Sequence, residues 1–320
     1  MALGDNTATV FGGGGFIGRH LVRRLGRGGA VVRVPTRHPS RVGFLRTAGV
    51  VGQIVPEQID IFDDAELEAA IAGADTVVNL IGIMVPTRRN SFEKIHVELP
   101  GRIARIAAAS GVKRLIHVSA LGTSADHPSA YAKSKAAGEE AVRAAFTQAT
   151  IFRPSLVFGP EDHFFNRFAG MAMISPVLPL IGGGKTRFQP VYVGDIAAAV
   201  IAARTRAEAQ GQTYELAGPE IFSFRELMQL MLDTIGRKRL LVSLPWSVAR
   251  LQASFAEWLP NPPLTRDQVE LLKRDNIASG IAPGLTALGI APTGVEVILP
   301  TYLERFRKGG RFATQDRVYR

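Results

Sequence analysis

The chain contains no cysteine, which excludes disulfide bonds, thiolate catalysis and cysteine-based zinc or iron–sulfur sites. Its six histidines are scattered without metal-ligand spacing, so no metal site is predicted. No apolar run reaches the roughly 18–20 residues that a membrane-spanning helix needs, because the longest candidate, over 169–182, is interrupted by Pro176 and Pro179. The first residues show no basic region followed by an apolar run. We therefore expect no secretory signal, no transmembrane segment and a cytoplasm-like compartment.

Charge is abundant and mostly of one sign. The formal net charge of +10 favours an acidic partner, such as nucleotide phosphates, anionic lipid or an acidic protein surface. Residues 301–320 form a predicted basic tail, whose alternative is an ordinary solvated terminus. Nucleic acid is not predicted as a partner, because no basic patch alternates with stacking aromatics. The charged residues of this tail are Arg305, Arg307, Lys308, Arg311, Arg317 and Arg320, with Glu304 and Asp316.

The first half of the chain alternates short β-rich runs with helical patterns, which predicts an α/β fold with a doubly wound, Rossmann-type parallel sheet. A length of 320 residues with 46% hydrophobic residues predicts one large soluble domain and a smaller, mostly helical C-terminal lobe. The predicted dinucleotide-binding domain covers 1–165 and 190–217, and the lobe covers 166–189 and 218–300. Strands are predicted over 7–11, 31–34, 53–56, 76–81, 114–119 and 150–152, and helices over 16–27, 63–72, 92–110, 129–146 and 164–173.

A glycine-rich turn follows the first predicted strand and opens a helix. Gly12, Gly15 and Gly18 stand in a G-x-x-G-x-x-G spacing. The first glycine permits the tight turn, the second lets the backbone approach a diphosphate, and the third allows helix and strand to pack closely. The N-terminus of the helix adds positive potential. The alternative is a glycine-rich turn without a ligand.

The end of the second strand indicates which dinucleotide would bind. An NAD enzyme usually has an acidic residue there, to bind the ribose hydroxyls. This chain has Thr36, Arg37 and Arg41 and no carboxylate in that stretch, which favours NADPH over NAD(H), because a guanidinium can pair with the 2′-phosphate. Asp60, after the third strand, is a candidate to bind the adenine amino group or, equally, to cap a turn.

Tyr131 and Lys135 form a Tyr-x-x-x-Lys pair at the start of a predicted helix, where residues four apart share one face. Both side chains could reach a nicotinamide ribose, and the lysine charge would favour proton exchange by the phenol. Ser119, at the end of the fifth strand, is a candidate for the same oxygen, with Thr123 and Ser124 as competitors. No second carboxylate or histidine of the kind that epimerising enzymes use is predicted beside Tyr131.

Four runs together resemble the short-chain dehydrogenase/reductase superfamily in its extended and atypical branches, over about residues 7–235. They are VFGGGGFIGR over 10–19, VVNLIG over 77–82, IHVS over 116–119 and QPVYV over 189–193. These runs are most similar to the nucleotide-binding accessory subunit of respiratory complex I (the 39 kDa type) and its bacterial relatives.

That resemblance implies a tightly held NADPH without established turnover, and a position among complex I subunits near the junction of the membrane and peripheral arms. In a bacterium this is the cytoplasmic face of the inner membrane, where anionic lipid head groups are further candidate partners. It also implies that Arg37 meets the 2′-phosphate and that Asp60 meets the adenine. The other implied contacts are Gly12, Gly15, Phe16, Ile17 and Gly18 for the phosphates, Leu80, Ile81 and Gly82 for the adenosine side, Tyr131 and Lys135 for the nicotinamide ribose, and Pro154, Ser155 and Leu156 for the nicotinamide.

Other functions remain open from the sequence. The same residues fit a free-standing NADPH-dependent reductase or epimerase/dehydratase, or a regulator that senses the NADP(H) ratio. Residues 237–259, basic at first and then rich in apolar residues with Trp246, Phe255 and Trp258, are interpreted either as a segment docking at a membrane or protein or as a helix buried in the lobe's own core.

Overall fold

The computed structural model describes residues 6–259 and 262–310 and divides the chain into two compact units. Unit 1 contains Met1–Pro154, Val193–Leu216 and Ser279–Ala291, and unit 2 contains Ser155–Tyr192, Ala217–Ala278 and Pro292–Arg320. Residues 279–291, which the sequence analysis assigned to the C-terminal lobe, thus belong to unit 1. Four charged residues of the predicted tail, Arg311, Asp316, Arg317 and Arg320, lie outside the described residues.

Strands and helices alternate along most of the described chain and are numbered in chain order. The strands are β1 (Thr7–Phe11), β2 (Val31–Thr36), β3 (Ile54–Gln58), β4 (Thr76–Asn79), β5 (Arg114–Val118), β6 (Thr150–Pro154), β7 (Val157–Phe158), β8 (Val177–Ile181), β9 (Arg187–Phe188), β10 (Val191–Tyr192), β11 (Thr213–Leu216), β12 (Phe222–Ser223) and β13 (Leu240–Leu244). The α-helices are α1 (Phe16–Arg27), α2 (Asp64–Ile71), α3 (Leu99–Ala109), α4 (Ala130–Ala145), α5 (Phe165–Ile174), α6 (Val193–Thr205), α7 (Phe224–Thr234), α8 (Trp246–Ala256), α9 (Arg266–Leu272) and α10 (Val295–Leu303).

Unit 1 is built on a seven-stranded parallel sheet with the order β11-β6-β5-β4-β1-β2-β3. Every residue of the central strands β1 and β4 is buried, because helices cover both faces of a parallel sheet. The predicted Rossmann-type fold is confirmed. The chain leaves β1 for β2 on one side and later returns to β4 on the other, which creates the switch point where doubly wound sheets bind ligands.

The predicted helix over 92–110 is two different elements. Glu93–Glu98 is a π-helical segment, and α3 begins only at Leu99, with Pro100 in its first turn. Proline has no N–H to donate and its ring crowds the preceding turn, so a regular α-helix cannot continue through this point. Gly138 of α4 lies directly against this segment, where an added Cβ would overlap the carbonyl oxygen of His96.

Unit 2 contains helices and three pairs of short strands, β7 with β10, β9 with β12, and β8 with β13. Its core is rich in phenylalanine, with Phe158, Phe165 and Phe224 buried beside Leu299. Residues 301–303 belong to α10, and Tyr302 and Leu303 are buried, so the basic tail predicted from residue 301 cannot begin there.

Residues 240–259 adopt the strand β13 and then α8, which buries Ala249 and Ala253 against α9. The interpretation of this segment as one helix with buried aromatics is wrong, since Phe255 is 71% exposed and Trp258 is 89% exposed. Ala249 and Ala253 make the inward contact, with half-buried Trp246 packed against them, whereas Phe255 and Trp258 remain outside. Within residues 6–259 and 262–310, no helix is both long enough and apolar enough to cross a bilayer.

Candidate dinucleotide site

The glycine-rich turn lies between β1 and α1. Gly12 adopts a φ of +79°, which an L side chain rarely tolerates, and the N–H of Gly15 donates to its carbonyl oxygen over 2.9 Å. A Cβ on Gly18 would overlap that same oxygen and the backbone of Gly13, so helix and turn pack too closely for any side chain. Gly12 and Gly18 thus have the roles predicted for them, the tight turn and the close packing of helix and strand.

The turn leaves the start of α1 open. Gly15 is the exposed N-cap of the helix and contributes no capping side chain, and the first turn carries no acidic residue. The N–H groups of Phe16, Ile17 and Gly18 belong to the helix positions that have no partner within the helix. Donors without a carboxylate beside them form a binding place for an anion such as a diphosphate.

A cavity of about 810 Å³ lies at the carboxyl ends of β2 and β3. Arg37 and Asp60 both line it, so the structure brings these two predicted residues together. Asp60 accepts a hydrogen bond from the N–H of Phe62 over 3.0 Å through Oδ1, which is the turn-forming role that the sequence left open. Its other carboxylate oxygen, Oδ2, remains a candidate acceptor for a ligand.

Thr36 and Arg41 occupy different surroundings from Arg37. Thr36 is the last residue of β2, and its hydroxyl accepts from the N–H of His38 over 3.3 Å. Arg41 is exposed on the 3-10 segment Pro39–Ala48 and is not among the residues that line the cavity.

The loop after β4 runs beside the glycine turn. Leu80 donates its N–H to the carbonyl oxygen of Phe11 over 3.0 Å, and Ile81 donates to Oδ1 of Asn79 over 3.1 Å. A Cβ on Gly12 would lie 3.1 Å from the carbonyl carbon of Leu80, so the two segments are in close contact. Gly82 follows as an exposed residue.

Lys135 and Ser119 meet at the end of β5. Lys135 is 3% exposed, and its Nζ donates to the carbonyl oxygen of Val118 over 2.8 Å. Burial lowers the pKa of Lys135 to about 8, although Glu139 favours the charged form. The hydroxyl of Ser119 is buried and has no hydrogen-bond partner among the described residues. A buried hydroxyl without a partner is uncommon in folded proteins and fits a site that a ligand completes.

Tyr131 is half-buried in an aromatic cluster that the sequence analysis missed. Its ring lies edge-on to His96, with centroids 5.4 Å apart, and edge-on to Phe92 at 6.0 Å. Phe92 and His96 stack on each other at 5.3 Å. A histidine therefore lies beside Tyr131, which the sequence did not indicate. His96 and Tyr131 are far apart in sequence, so no motif could indicate their contact. The contact depends on how the π-helical segment packs against α4.

The surroundings of His96 make it a structural group. Its Nε2 accepts from the N–H of Ile83 over 3.0 Å, and its Nδ1 lies 2.9 Å from the hydroxyl of Ser134, which donates to the carbonyl oxygen of Tyr131. These bonds assign the ring proton to Nδ1. Burial, with a contribution from Lys135, lowers the pKa of His96 to about 3, so the ring stays neutral and ties the loop after β4 to α4.

The two competitors of Ser119 are engaged elsewhere. The Thr123 hydroxyl donates to Oε1 of Glu139 over 3.2 Å, and Ser124 accepts from the N–H of Asp126 over 3.3 Å. Glu139 also forms a buried ion pair with Arg153, with 2.6 Å between Oε2 and Nη2. Among the three hydroxyls, only that of Ser119 lacks a protein partner in the described part of the chain.

The last predicted residues fall in both units. Pro154 ends β6 in unit 1, where its carbonyl oxygen accepts from Leu121 over 2.9 Å. In unit 2, the hydroxyl of Ser155 donates to Asn276, and the same Asn276 side chain accepts from the N–H of Leu156 over 2.9 Å. Residues 6–259 and 262–310 contain no group of three histidine or acidic residues that could hold a metal ion.

The chain matches the model of one protein family over residues 8–217, which is described as the NAD dependent epimerase/dehydratase family. The chain belongs to this family. The matched range runs from the first residues of β1 to the end of β11 and so contains the glycine turn, Arg37, Ser119, Tyr131 and Lys135. It agrees with the resemblance to the extended dehydrogenase/reductases stated from the sequence.

Two curated relatives of this epimerase/dehydratase chain are subunits of a respiratory complex by name. It is 38% identical over 315 residues to NADH dehydrogenase (ubiquinone) 1 alpha subcomplex subunit 9, mitochondrial, of Arabidopsis thaliana, covering 95% of this chain and 78% of the relative. It is 31% identical over 314 residues to the NADH-ubiquinone oxidoreductase 40 kDa subunit, mitochondrial, of Neurospora crassa, covering 97% and 82%.

A solved structure supports the same fold. The dTDP-glucose 4,6-dehydratase DesIV of Streptomyces venezuelae, determined with NAD and TYD bound, matches with a TM-score of 0.70 at 20% identity and covers 98% of both chains. At this level of identity the match concerns the fold alone.

Proposed function

We propose that this protein is an NADPH-binding accessory subunit of a bacterial respiratory complex I, with a stabilising or regulatory role and little or no turnover. The observation that carries the proposal is the similarity to mitochondrial complex I subunits along 95% of the chain, at 38% identity. A match of this length includes the C-terminal region that the family model leaves out. The bacterial setting rests on the resemblance stated from the sequence.

The cofactor assignment rests on unit 1. The glycine turn leaves the start of α1 open to a diphosphate. At the carboxyl end of β5, the hydroxyl of Ser119 has no partner among the described residues, and buried Lys135 bonds to the preceding residue, Val118. These features fit a dinucleotide lying along the carboxyl ends of the strands. Arg37 faces a cavity at the end of β2 and would meet the 2′-phosphate, which favours NADPH over NAD(H).

The remaining roles follow the strand ends. The N–H groups of Phe16, Ile17 and Gly18 would hold the phosphates, against the backbone of Gly12 and Gly15. Thr36 and Arg41 would flank the 2′-phosphate, and Leu80 to Gly82 would lie along the adenosine. Tyr131, Lys135 and Ser119 would satisfy the nicotinamide ribose and its neighbouring oxygen, while Pro154, Ser155 and Leu156 would line the nicotinamide. A resident cofactor provides hydride chemistry when bound, but these hydrogen bonds would also be needed for simple retention.

A free-standing reductase is the second candidate, because Ser119, Tyr131 and Lys135 together can hold and protonate a carbonyl oxygen. His96 adds no acid–base group to this set, since its ring is neutral and both nitrogens are engaged. The reductase proposal predicts that NADPH is consumed in the presence of a panel of carbonyl compounds.

The proposed location is the cytoplasmic face of the inner membrane, near the junction of the complex I arms. Unit 2 presents exposed Phe255 and Trp258, preceded in sequence by the basic residues Arg237, Lys238 and Arg239. Exposed aromatic residues suit a protein partner or a lipid surface, and basic residues in the same unit suit an anionic one. We infer a peripheral attachment through this part of unit 2.

Co-purification tests the proposal. Membranes would be extracted in mild detergent and separated under native conditions, and this chain followed by antibody beside NADH:quinone oxidoreductase activity. We expect the two to migrate together and the isolated chain to release NADPH on denaturation. A chain that migrates alone as a small soluble species would refute the subunit assignment, and release of NADH instead would refute the cofactor assignment.

A further inference from the structure

Two arginines that the sequence analysis did not single out stand at the tip of an ordered bend. Thr87 and Asn90 close the bend with two hydrogen bonds, from the N–H of Thr87 to the Asn90 carbonyl oxygen (2.9 Å) and from the N–H of Asn90 to the Thr87 hydroxyl (3.1 Å). Arg88 and Arg89 are the two residues between them, and both are exposed. The bend therefore holds two guanidinium-bearing residues side by side.

Both arginines line the same 810 Å³ cavity as Arg37. Lys94, at the start of the π-helical segment, completes a set of four cations. The side chains of all four lack a hydrogen bond or ion pair within the described part of the chain. Cationic side chains from two separate chain segments thus border one cavity.

The acidic residues of the cavity are already partly engaged. Glu66 accepts from the N–H of Asp60 over 2.5 Å, and Asp60 accepts from Phe62. Four cations and two carboxylates leave the lining with an excess of two positive charges. A phosphate monoester carries close to two negative charges at neutral pH, so one such group would balance the lining.

The rest of the lining suits a nucleic acid base. Phe62 is 41% exposed although it is a large aromatic residue, and Ile59 lines the same cavity. An aromatic face stacks on a base whatever its identity, while Asp60 and Gln58 supply polar edges. A base and a phosphate together fit a phosphorylated nucleoside, which in the proposed NADPH is the adenosine with its 2′-phosphate.

We propose that Arg88, Arg89 and Lys94 form a second cationic wall of the 2′-phosphate subsite. This wall comes from the segment after β4, whereas Arg37 follows β2. Phe62 then stacks on the adenine. This inference rests on the proposed NADPH function and deepens it. Selection of NADP(H) over NAD(H) is then shared by two chain segments. Removal of the wall from the second segment weakens ligands with a 2′-phosphate and spares those without one.

The test compares four ligands on the full chain freed of its cofactor, namely NADPH, NADH, 2′,5′-ADP and 5′-AMP, each by titration calorimetry. The variant carries Arg88→Gln and Arg89→Gln. A matched control carries Arg23→Gln and Arg27→Gln, two exposed arginines of α1 outside the cavity lining. A third variant, Phe62→Ser, probes the stacking face.

We expect the Arg88/Arg89 variant to bind NADPH and 2′,5′-ADP about 10- to 100-fold more weakly, as for the loss of hydrogen bonds to a charged group, with less than about threefold change for NADH and 5′-AMP. The control should change each ligand by less than about threefold. Phe62→Ser should weaken all four ligands similarly, by about fivefold or more.

Three outcomes distinguish failure of this inference from failure of the proposed NADPH function. A wild-type chain that prefers NADPH, with the same preference in the Arg88/Arg89 variant, overturns the inference alone. Equal losses for NADPH and NADH also overturn it, since they indicate a nonspecific effect of charge or folding. A wild-type chain that takes up no dinucleotide overturns both.

Discussion

The two ends of the candidate site in unit 1 use positive charge in opposite ways. At the end proposed to bind the adenosine, four cations line an open cavity, and their side chains have no partner among the described residues. At the other end, a single cation, Lys135, is almost completely buried with a pKa lowered to about 8. The charge of the open end faces solvent and is therefore screened by salt. The buried end is shielded from salt but gives up its proton near neutral pH.

This difference separates two kinds of binding energy. The attraction between an exposed guanidinium group and a phosphate is weakened by the surrounding salt ions. Buried Lys135 and Ser119 gain hydrogen bonds that water no longer contests. Salt should therefore affect the first end and pH the second, and the following experiments sharpen or break that division.

The largest effect is expected at the turn that joins the two ends. Gly15→Val should abolish retention of the dinucleotide, because a branched side chain would occupy the exposed start of α1 where the diphosphate is proposed to lie. A Cβ at this position would be 3.2 Å from the Gly12 carbonyl oxygen, a tight contact that needs a shift of a few tenths of an ångström, so the fold should be disturbed less than by a Cβ on Gly18, which overlaps that oxygen. Cofactor content after denaturation and the melting temperature are the measurements.

Gly18→Val is the matched control for this experiment. A Cβ on Gly18 overlaps the backbone of the turn, so this variant should lose stability as well as cofactor. Normal cofactor content in the Gly15 variant would contradict the assignment of the turn as the diphosphate site. The two ends of the candidate site would then have no shared ligand to join them.

The second effect concerns the open end. Arg37→Ala should weaken NADPH by about 10- to 100-fold and NADH by less than about threefold, because only NADPH carries the extra phosphate. The wild-type preference for NADPH should also shrink as salt is raised, and shrink less in the variant. Titrations at low and high salt measure both. Equal losses for the two dinucleotides would show that Arg37 does not select the phosphate.

The third effect concerns the buried end and its pH dependence. The pKa of Lys135 is about 8 in the folded chain and near 10.5 when exposed, so between these values the unfolded chain binds the proton more strongly. The wild-type fold should therefore gain stability relative to Lys135→Met as pH rises from 8 to 10.5, by up to about tenfold in the unfolding constant per pH unit. Below pH 8 the difference should stay constant.

Urea unfolding at several pH values measures this difference. Lys133→Met is the matched control, since Lys133 is exposed on the same helix and should show no such gain. A flat difference between wild type and Lys135→Met across the window would mean that Lys135 is not held in a water-poor environment.

The smallest effect is expected at Ser119. Its hydroxyl is buried without a partner among the described residues, so Ser119→Ala should leave the free chain unchanged or stabilise it by about 1 kcal/mol. Thr123→Val should instead destabilise it, because that hydroxyl donates to buried Glu139. Melting temperatures without cofactor compare the two. Destabilisation by Ser119→Ala would indicate that the hydroxyl already has a partner.

The sequence was sufficient for the parts of this site that depend on local order along the chain. Glycine spacing after a buried strand predicted the turn, and a spacing of four predicted that Tyr131 and Lys135 share a face of α4. The position of Arg37 directly after β2 predicted that it lies at the carboxyl end of the sheet. In each of these, one strand or one helix determines where the residue goes.

The parts that were missed depend on contacts between distant segments. His96 reaches Tyr131 only because the chain adopts a π-helical turn before Pro100 and because Gly138 leaves room for it. Arg88 and Arg89 reach the cavity from a bend whose hydrogen bonds have no strong sequence signature. Phe255 and Trp258 look like core residues in sequence, but Ala249 and Ala253 form the buried face of this segment and leave both aromatics exposed.

The third strand offers a consequence for assembly. β3 is an edge strand, and it runs through Pro56, beyond the end predicted for it. Gln53 and Ile59 bond to β2, and since alternate residues of a strand face the same neighbour, the nitrogen of Pro56 faces away from the sheet. The outer rim thus lacks one donor where an incoming strand would need it. Another polypeptide can contact β3 through side chains. A strand added at this edge could not form an unbroken row of backbone hydrogen bonds with β3.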